Sequence, residues 1–329
     1  MDTGSSLVWF PCTQSYACSS CNFEGVDPTN VTTFVPELSS STKIVGCRNR
    51  KCRWLFPNVE CRDCGKNSIG CDDFCPSFTI NYGSGAPAGI AGFGRGPESL
   101  PSQMMLKRFS YCLVSHQFDD APVASDLVLV SRGGAANVTG GRINYTPFHK
   151  ITNTSNPAFK EYYYVSLRKI TVGGVDIMAP YEFLVPDSAG NGGTIVDSGT
   201  TFTFMENPVF ELVAREFEKQ VGKNYSRATE VEDMSGLRPC FNVSDENSLS
   251  LPQLSFHFKG GAKLALPLGD YFSFMADSVV CMTVNTNNGG GGGVGPGPAI
   301  IFGNYQQQNI YMEYDLENER LGFRKQFCR

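Results

Sequence analysis

Four residues occur twice in this chain in nearly the same form, Asp2-Thr3-Gly4-Ser5 and Asp197-Ser198-Gly199-Thr200. Each copy is followed further along by apolar residues that run into glycine, GIAGFG at 89–94 and AIIFGN at 299–304. Such self-similarity constrains the fold more than local propensity does, because two half-chains of one plan can pair about a pseudo-twofold axis. The repeat puts the boundary near residue 155, with an N-terminal lobe over 1–155 and a C-terminal lobe over 156–329. At 329 residues the chain can supply each lobe with its own core.

Pairing the halves brings Asp2 and Asp197 together. Two carboxyls a few ångströms apart cannot both ionise easily, so they share one proton over a wide acid range. A base and an acid then stand side by side. One takes a proton from water, and the other donates to a developing oxyanion. The two ionisations belong to the pair and not to either residue. Gly4 and Gly199 permit the tight turns that present the carboxyls. The hydroxyls of Thr3 and Ser198 are expected to hydrogen-bond across the axis. Those of Ser5 and Thr200 are expected to reach the outer carboxylate oxygens.

Composition narrows the partners. A net charge of −5 argues against nucleic acid, which needs a basic face. No apolar run reaches the length of a membrane span. The chain has no phosphate-binding Gly-x-x-x-x-Gly-Lys loop, His-Glu-x-x-His motif or Gly-x-Ser-x-Gly elbow, so no cofactor is expected. His116, His149 and His257 fall in no recognisable constellation and read as structural or surface residues.

Nine of the 13 cysteines lie between Cys12 and Cys75. That density points to an oxidising compartment and a disulfide framework. Six Asn-x-Ser/Thr sequons, at Asn30, Asn137, Asn144, Asn153, Asn224 and Asn242, favour a secreted or vacuolar route. Cys18-x-x-Cys21 and Cys61-x-x-Cys64 have zinc-like spacing, but the oxidising signs favour disulfides, and no metal is expected. With only Met1 before Asp2, no basic start and no apolar segment, the sequence is not expected to carry a signal peptide.

Alternating runs recur: FTINY (78–82), YYYVSLRKITV (162–172), TFTF (201–204), LSFHF (254–258) and IYMEYD (310–315). Paired glycines at 173–174 and 260–261 punctuate them. One helix is well signalled, with Asn207 as cap, Pro208 at the first position, and Phe210, Val213, Phe217 and Val221 on one face. GGGGGVGPGP (289–298) reads as a flexible surface loop. The chain is thus mostly β, with few short helices.

These motifs together resemble the pepsin-like aspartic peptidases, and specifically their plant nepenthesin-like branch. The likeness rests on DTGSS with Trp9 seven residues after Asp2, DSGTT, YGSG (82–85), AGFGRGPESLPSQ (91–103), FSYC (109–112) and IIFGNYQQQN (300–309). The stretch from Cys12 to Cys75 resembles the branch's extra insert. The resemblance implies a bilobal pepsin-like fold of two related β lobes, and a monomer acting on extended peptide in a cleft. It implies catalysis by Asp2 and Asp197, a flap carrying Tyr82 and Gly83 over the substrate, and Trp9 supporting Tyr82. A non-catalytic binder on the same fold, like the plant xylanase-inhibitor relatives, is the alternative.

Two departures from the family pattern lead to further expectations. The second half has a strand pair before Asp197 and a buried run, Thr194 to Val196, leading into it. The first half has only Met1, so an amino-terminal β segment is expected to be missing. After GSG the chain passes through APAG (86–89) straight into IAGFG, so the return half of the flap is expected to be deleted. In the family, a Gly-Cys segment in that region pairs with the cysteine of FSYC. The resemblance therefore leaves Cys112 without its customary partner.

Overall fold

The computed structural model describes residues 1–10, 38–41, 50, 52, 89–115, 124–131, 134, 141–150, 157–243, 249–286 and 295–329. Tyr82, Gly83, FTINY, residues 86–88 of the APAG join and both Cys-x-x-Cys pairs lie outside these residues, as does most of the glycine-rich loop. Two compact units are present: Met1–Ser6 with Gly92–Arg329, and Leu7–Ala91.

Strands are numbered in chain order. One sheet runs β2 (Leu127–Ser131), β1 (Leu106–Cys112), β16 (Ile310–Asp315), β17 (Arg320–Lys325), β3 (Asn144–Pro147). It draws strands from both sides of residue 155. A second runs β12 (Lys263–Ala265), β11 (Leu254–Phe258), β5 (Leu167–Val172), β6 (Val175–Ile177). A third runs β13 (Phe272–Ala276), β14 (Val279–Met282), β10 (Cys240–Asn242), β9 (Ser226–Arg227). The fourth carries Asp197 and runs β4 (Tyr164–Val165), β7 (Thr194–Val196), β15 (Ile300–Phe302), β8 (Phe204–Met205).

The fourth sheet follows from its sequence. Thr194, Ile195 and Val196 are β-branched and all buried, which suits an inner strand covered on both faces. β7 pairs in parallel with β15, Val196 opposite Phe302, so both strands deliver their ends to one edge. Asp197 begins where β7 stops.

The strands LSFHF and IYMEYD have the expected bounds. YYYVSLRKITV is not one strand, because the chain changes sheets at Ser166. β4 pairs with β7, whereas β5 pairs with β11 and β6. TFTF enters a strand only at Phe204, because Thr200 and Thr201 give their carbonyls to Asn304 and Tyr305 N–H. Both glycine pairs have positive φ, the backbone that favours glycine. The long helix spans Asn207–Val221 and buries Phe210, Val213, Phe217 and Val221, as the period requires. Asn207 is its first residue; Glu206 stands at the cap without a side-chain cap bond.

Cys112 has a partner after all. It bonds Cys328 across 216 residues of sequence, with Cα atoms 5.4 Å apart. Leu113 bridges Gln308, Asn309 N–H donates to Leu113 O, and Gln326 N–H donates to Asn309 O. These contacts lay the end of β1 beside the C-terminal residues, a meeting that no local spacing announces. Cys240–Cys281 joins directly opposed residues of β10 and β14.

Asp270 is a costly buried carboxyl. It is 3% exposed, and its Oδ2 has no hydrogen-bond partner among the described residues. Burial pushes it up to about 7, against the opposing pull of Lys325. An unfolded aspartate titrates near 4. The contribution of Asp270 to stability is therefore fully present below about pH 4 and is lost as pH rises through about 7, by on the order of 4 kcal/mol. Asp270→Asn is expected to flatten that decline in a Tm series from pH 4 to 7.5. An unchanged slope would show that another group governs it.

Candidate active site

The two aspartate loops lie in one compact unit and have the same hydrogen-bond pattern. Gly4 N–H donates to Asp2 Oδ1 at 2.9 Å, and Gly199 N–H donates to Asp197 Oδ1 at 2.7 Å. Ser5 Oγ donates to Asp2 Oδ2, and Thr200 Oγ1 donates to Asp197 Oδ2 at 2.6 Å. Each carboxyl thus receives one backbone N–H and one hydroxyl from its own loop, which fixes its plane.

The loops also exchange bonds. Thr3 N–H donates to Ser198 Oγ at 3.1 Å, and Ser198 N–H donates to Thr3 Oγ1 at 2.8 Å. Thr3 Oγ1 donates to Val196 O, and Ser198 Oγ donates to Met1 O, both at 3.2 Å. Thr3 is fully buried and Ser198 nearly so. No water reaches Thr3, so its bonds must be met within the protein.

Glycine at the third position is demanded by close approach. A Cβ on Gly4 would sit 2.5 Å from the Asp197 carboxyl carbon. A Cβ on Gly199 would collide with Asp2 Oδ1 and stand 3.2 Å from Asp197 Oδ1. Each glycine therefore faces the other loop's carboxyl. Burial is the main cause raising the Asp197 carboxyl above the usual range. The Asp2 charge and a hydrogen bond to Asp2 add to this, while the Thr200 and Gly199 bonds oppose it.

The glycine-containing segments hold the loops from behind. Asp2 bridges Gly92 in parallel, and Phe93 N–H donates to Asp2 O at 2.7 Å. Asp197 N–H donates to Phe302 O at 3.0 Å. Gly94 N–H reaches Ser5 O at 2.7 Å, and Asn304 N–H reaches Thr200 O at 2.8 Å. Below them lies an aromatic cluster. Phe109 stacks on Tyr314 at 4.5 Å, and Tyr163 meets Tyr314 edge-on at 4.7 Å.

Asp2, Thr3, Gly4, Ser5, Ser198, Gly199 and Thr200 are thus gathered around Asp197. Trp9 belongs to the other compact unit, where it exchanges two 2.9 Å backbone bonds with Ile90. Sequence reading missed Tyr162, whose phenol is raised by burial and, further, by Glu161, Asp197 and Asp2. It also missed Asn304, whose Nδ2 donates to Ser198 O at 3.0 Å. Asn304 stands in the quoted GNYQQQN run, but nothing in that run specifies a partner. Among the described residues no group of His, Cys, Asp and Glu could hold a metal ion, and no helix is long and apolar enough to cross a membrane.

Comparison with known proteins gives three kinds of likeness. Residues 162–325 match the family described as xylanase inhibitor C-terminal. A probable aspartyl protease of Arabidopsis thaliana is 31% identical over all of this chain and 79% of its own length. The aspartic proteinase nepenthesin-1 of Nepenthes gracilis is 32% identical over all of this chain and 74% of its own length. Among solved structures, EDGP aligns over 99% of this chain and 87% of its own, with TM-score 0.71 and 19% identity. Soybean basic 7S globulin aligns over 98% and 86%, with TM-score 0.68 and 19% identity. These structures share the mostly β, pepsin-like fold.

Thr3→Val keeps the side-chain shape but leaves buried Ser198 N–H without its acceptor. It is expected to cost about 2 kcal/mol, read by denaturant unfolding. No change would show that the exchanged bonds contribute nothing net.

Proposed function

Because the chain belongs to the plant aspartic protease family, we propose that it is an endopeptidase that cleaves peptide bonds at acid pH through water activated between Asp2 and Asp197. The observation that carries this reading is the pair of mirrored carboxyls, each fixed by its own loop and each facing the other loop's glycine.

One proton shared by two carboxyls leaves one ionised. The ionised carboxylate takes a proton from water as the oxygen attacks the peptide carbonyl. The protonated carboxyl donates to the carbonyl oxygen, giving a neutral tetrahedral diol. The carboxyl protonated by the water then donates to the amine as the C–N bond breaks, and the other carboxylate takes one of the diol's two hydroxyl protons, leaving a carboxylic acid, an amine and a dyad with its single proton. No covalent intermediate forms. The raised Asp197 carboxyl favours retention of the shared proton. Below the first ionisation the base is lost, and above the second the acid is lost, so a bell-shaped pH profile follows. Extended peptide is the proposed substrate, and a monomer on a secreted or vacuolar route the proposed setting.

A second reading is favoured by the match of residues 162–325 to the xylanase inhibitor C-terminal family. In it the chain binds a protein partner without cleaving it. The two separate in one assay, hydrolysis of denatured globin between about pH 2.5 and 5 with and without a statine-type inhibitor. Inhibitor-sensitive cleavage is expected, falling at least about 10³-fold in Asp197→Asn. No cleavage by the folded parent would favour the binder. Gly199→Ala, whose methyl would push on the Asp2 carboxyl, is expected to lower kcat by about 100-fold; parental kcat would show that the carboxyls tolerate displacement.

A further inference from the structure

Gln307 is fully buried on the turn Asn304–Gln307 that follows β15. Its Nε2 donates to Phe302 O at 2.9 Å and to Asp197 O at 3.3 Å. Its Oε1 accepts from Tyr111 OH. Tyr111's one hydroxyl proton is thereby used, so Tyr314 OH shares its own proton between the Tyr111 oxygen at 3.2 Å and Thr3 Oγ1 at 3.4 Å. Thr3 Oγ1 in turn accepts from Ser198 N–H, the residue after Asp197. A buried polar circuit thus leaves Asp197 through Gln307, crosses two tyrosines and returns through Thr3.

The two halves differ at this point. In the first, the N–H after the bridging glycine, that of Phe93, caps the Asp2 carbonyl. In the second, the N–H after the glycine in register with Asp197, that of Asn304 after Gly303, goes instead to Thr200 O at 2.8 Å. The Asp197 carbonyl is left to a side chain, and Gln307 supplies it. A glutamine carries both a donor and an acceptor, so it can hold the Asp197 backbone with one end and the tyrosine pair with the other.

We propose that Gln307 is a positioning residue for the dyad, tying the Asp197 backbone through Tyr111 and Tyr314 to the Thr3 loop and so setting the separation of the two carboxyls. The proposal rests on the dyad reading above. Closer carboxyls repel more strongly and titrate further apart. Loosening the circuit lets them separate, so the two ionisations draw together and the bell narrows. A role confined to stability would lower Tm and leave the ionisations where they were.

The test is a ¹³C-aspartate NMR titration of the full chain, which needs no turnover, beside kcat and KM on a peptide substrate. In Gln307→Leu the two dyad ionisations are expected to approach each other by roughly one pH unit, with kcat about tenfold lower and KM within about twofold of the parent. Gln307→Glu, neutral at acid pH and still both donor and acceptor, is expected to restore most of the parental titration. Tyr111→Phe keeps the ring packing and removes one link, so it carries the test if Gln307→Leu does not fold; a shift in the same direction is expected. Superimposed parental and variant titrations would overturn the proposal, whatever happens to Tm. A parent that titrates as a dyad but cleaves nothing would sink the endopeptidase reading and leave this test intact.

Discussion

The exchange between Thr3 and Ser198 is the contact on which the rest of the site depends. Each residue's N–H is satisfied by the other's hydroxyl, in a place where Thr3 has no access to water. A lost hydrogen bond there is not replaced by solvent, so the loops are held in a single relation. That relation puts each glycine against the opposite carboxyl and raises Asp197 through burial and its neighbour's charge.

The support beneath the exchange is largely aromatic. Phe109, Tyr163 and Tyr314 pack at ring distances of 4.5–6.2 Å. Aromatic rings give broad, stiff contact area at little cost in side-chain freedom. Tyr314 adds a polar tip that reaches Thr3. β1 and β16 supply Phe109 and Tyr314 from strands far apart in sequence, and the Cys112–Cys328 bond ties the end of β1 to the chain's last residues. In the chain-entropy view a closure of that length is worth about 5 kcal/mol.

Legibility in the sequence tracked distance along the chain. The aspartate turns were readable because Asp, a hydroxyl residue, Gly and a second hydroxyl residue satisfy one another within four positions. The buried run Thr194–Val196 and the helix face through Phe210, Val213, Phe217 and Val221 were readable because burial imposes a period. The break at Ser166 was not, since YYYVSLRKITV alternates well enough for one strand and only the neighbours show that its ends join different sheets. Gln307 stands in the IIFGNYQQQN run with no role legible there, because its partners are Asp197, Phe302 and Tyr111. The Cys112–Cys328 bond was illegible for the same reason. Cysteine pairing depends on which ends meet.

The sequence by itself determined that two copies of one carboxyl-bearing turn exist, each with the hydroxyls and the glycine that it needs. Those features are local, and backbone geometry enforces them within a few residues. Only the tertiary structure decided that the copies exchange hydrogen bonds, that each glycine faces the other's aspartate, and that the second turn is held by a glutamine where the first is held by a backbone N–H. Such choices are made by strand register and sheet order, which bring together groups that no spacing in the sequence relates.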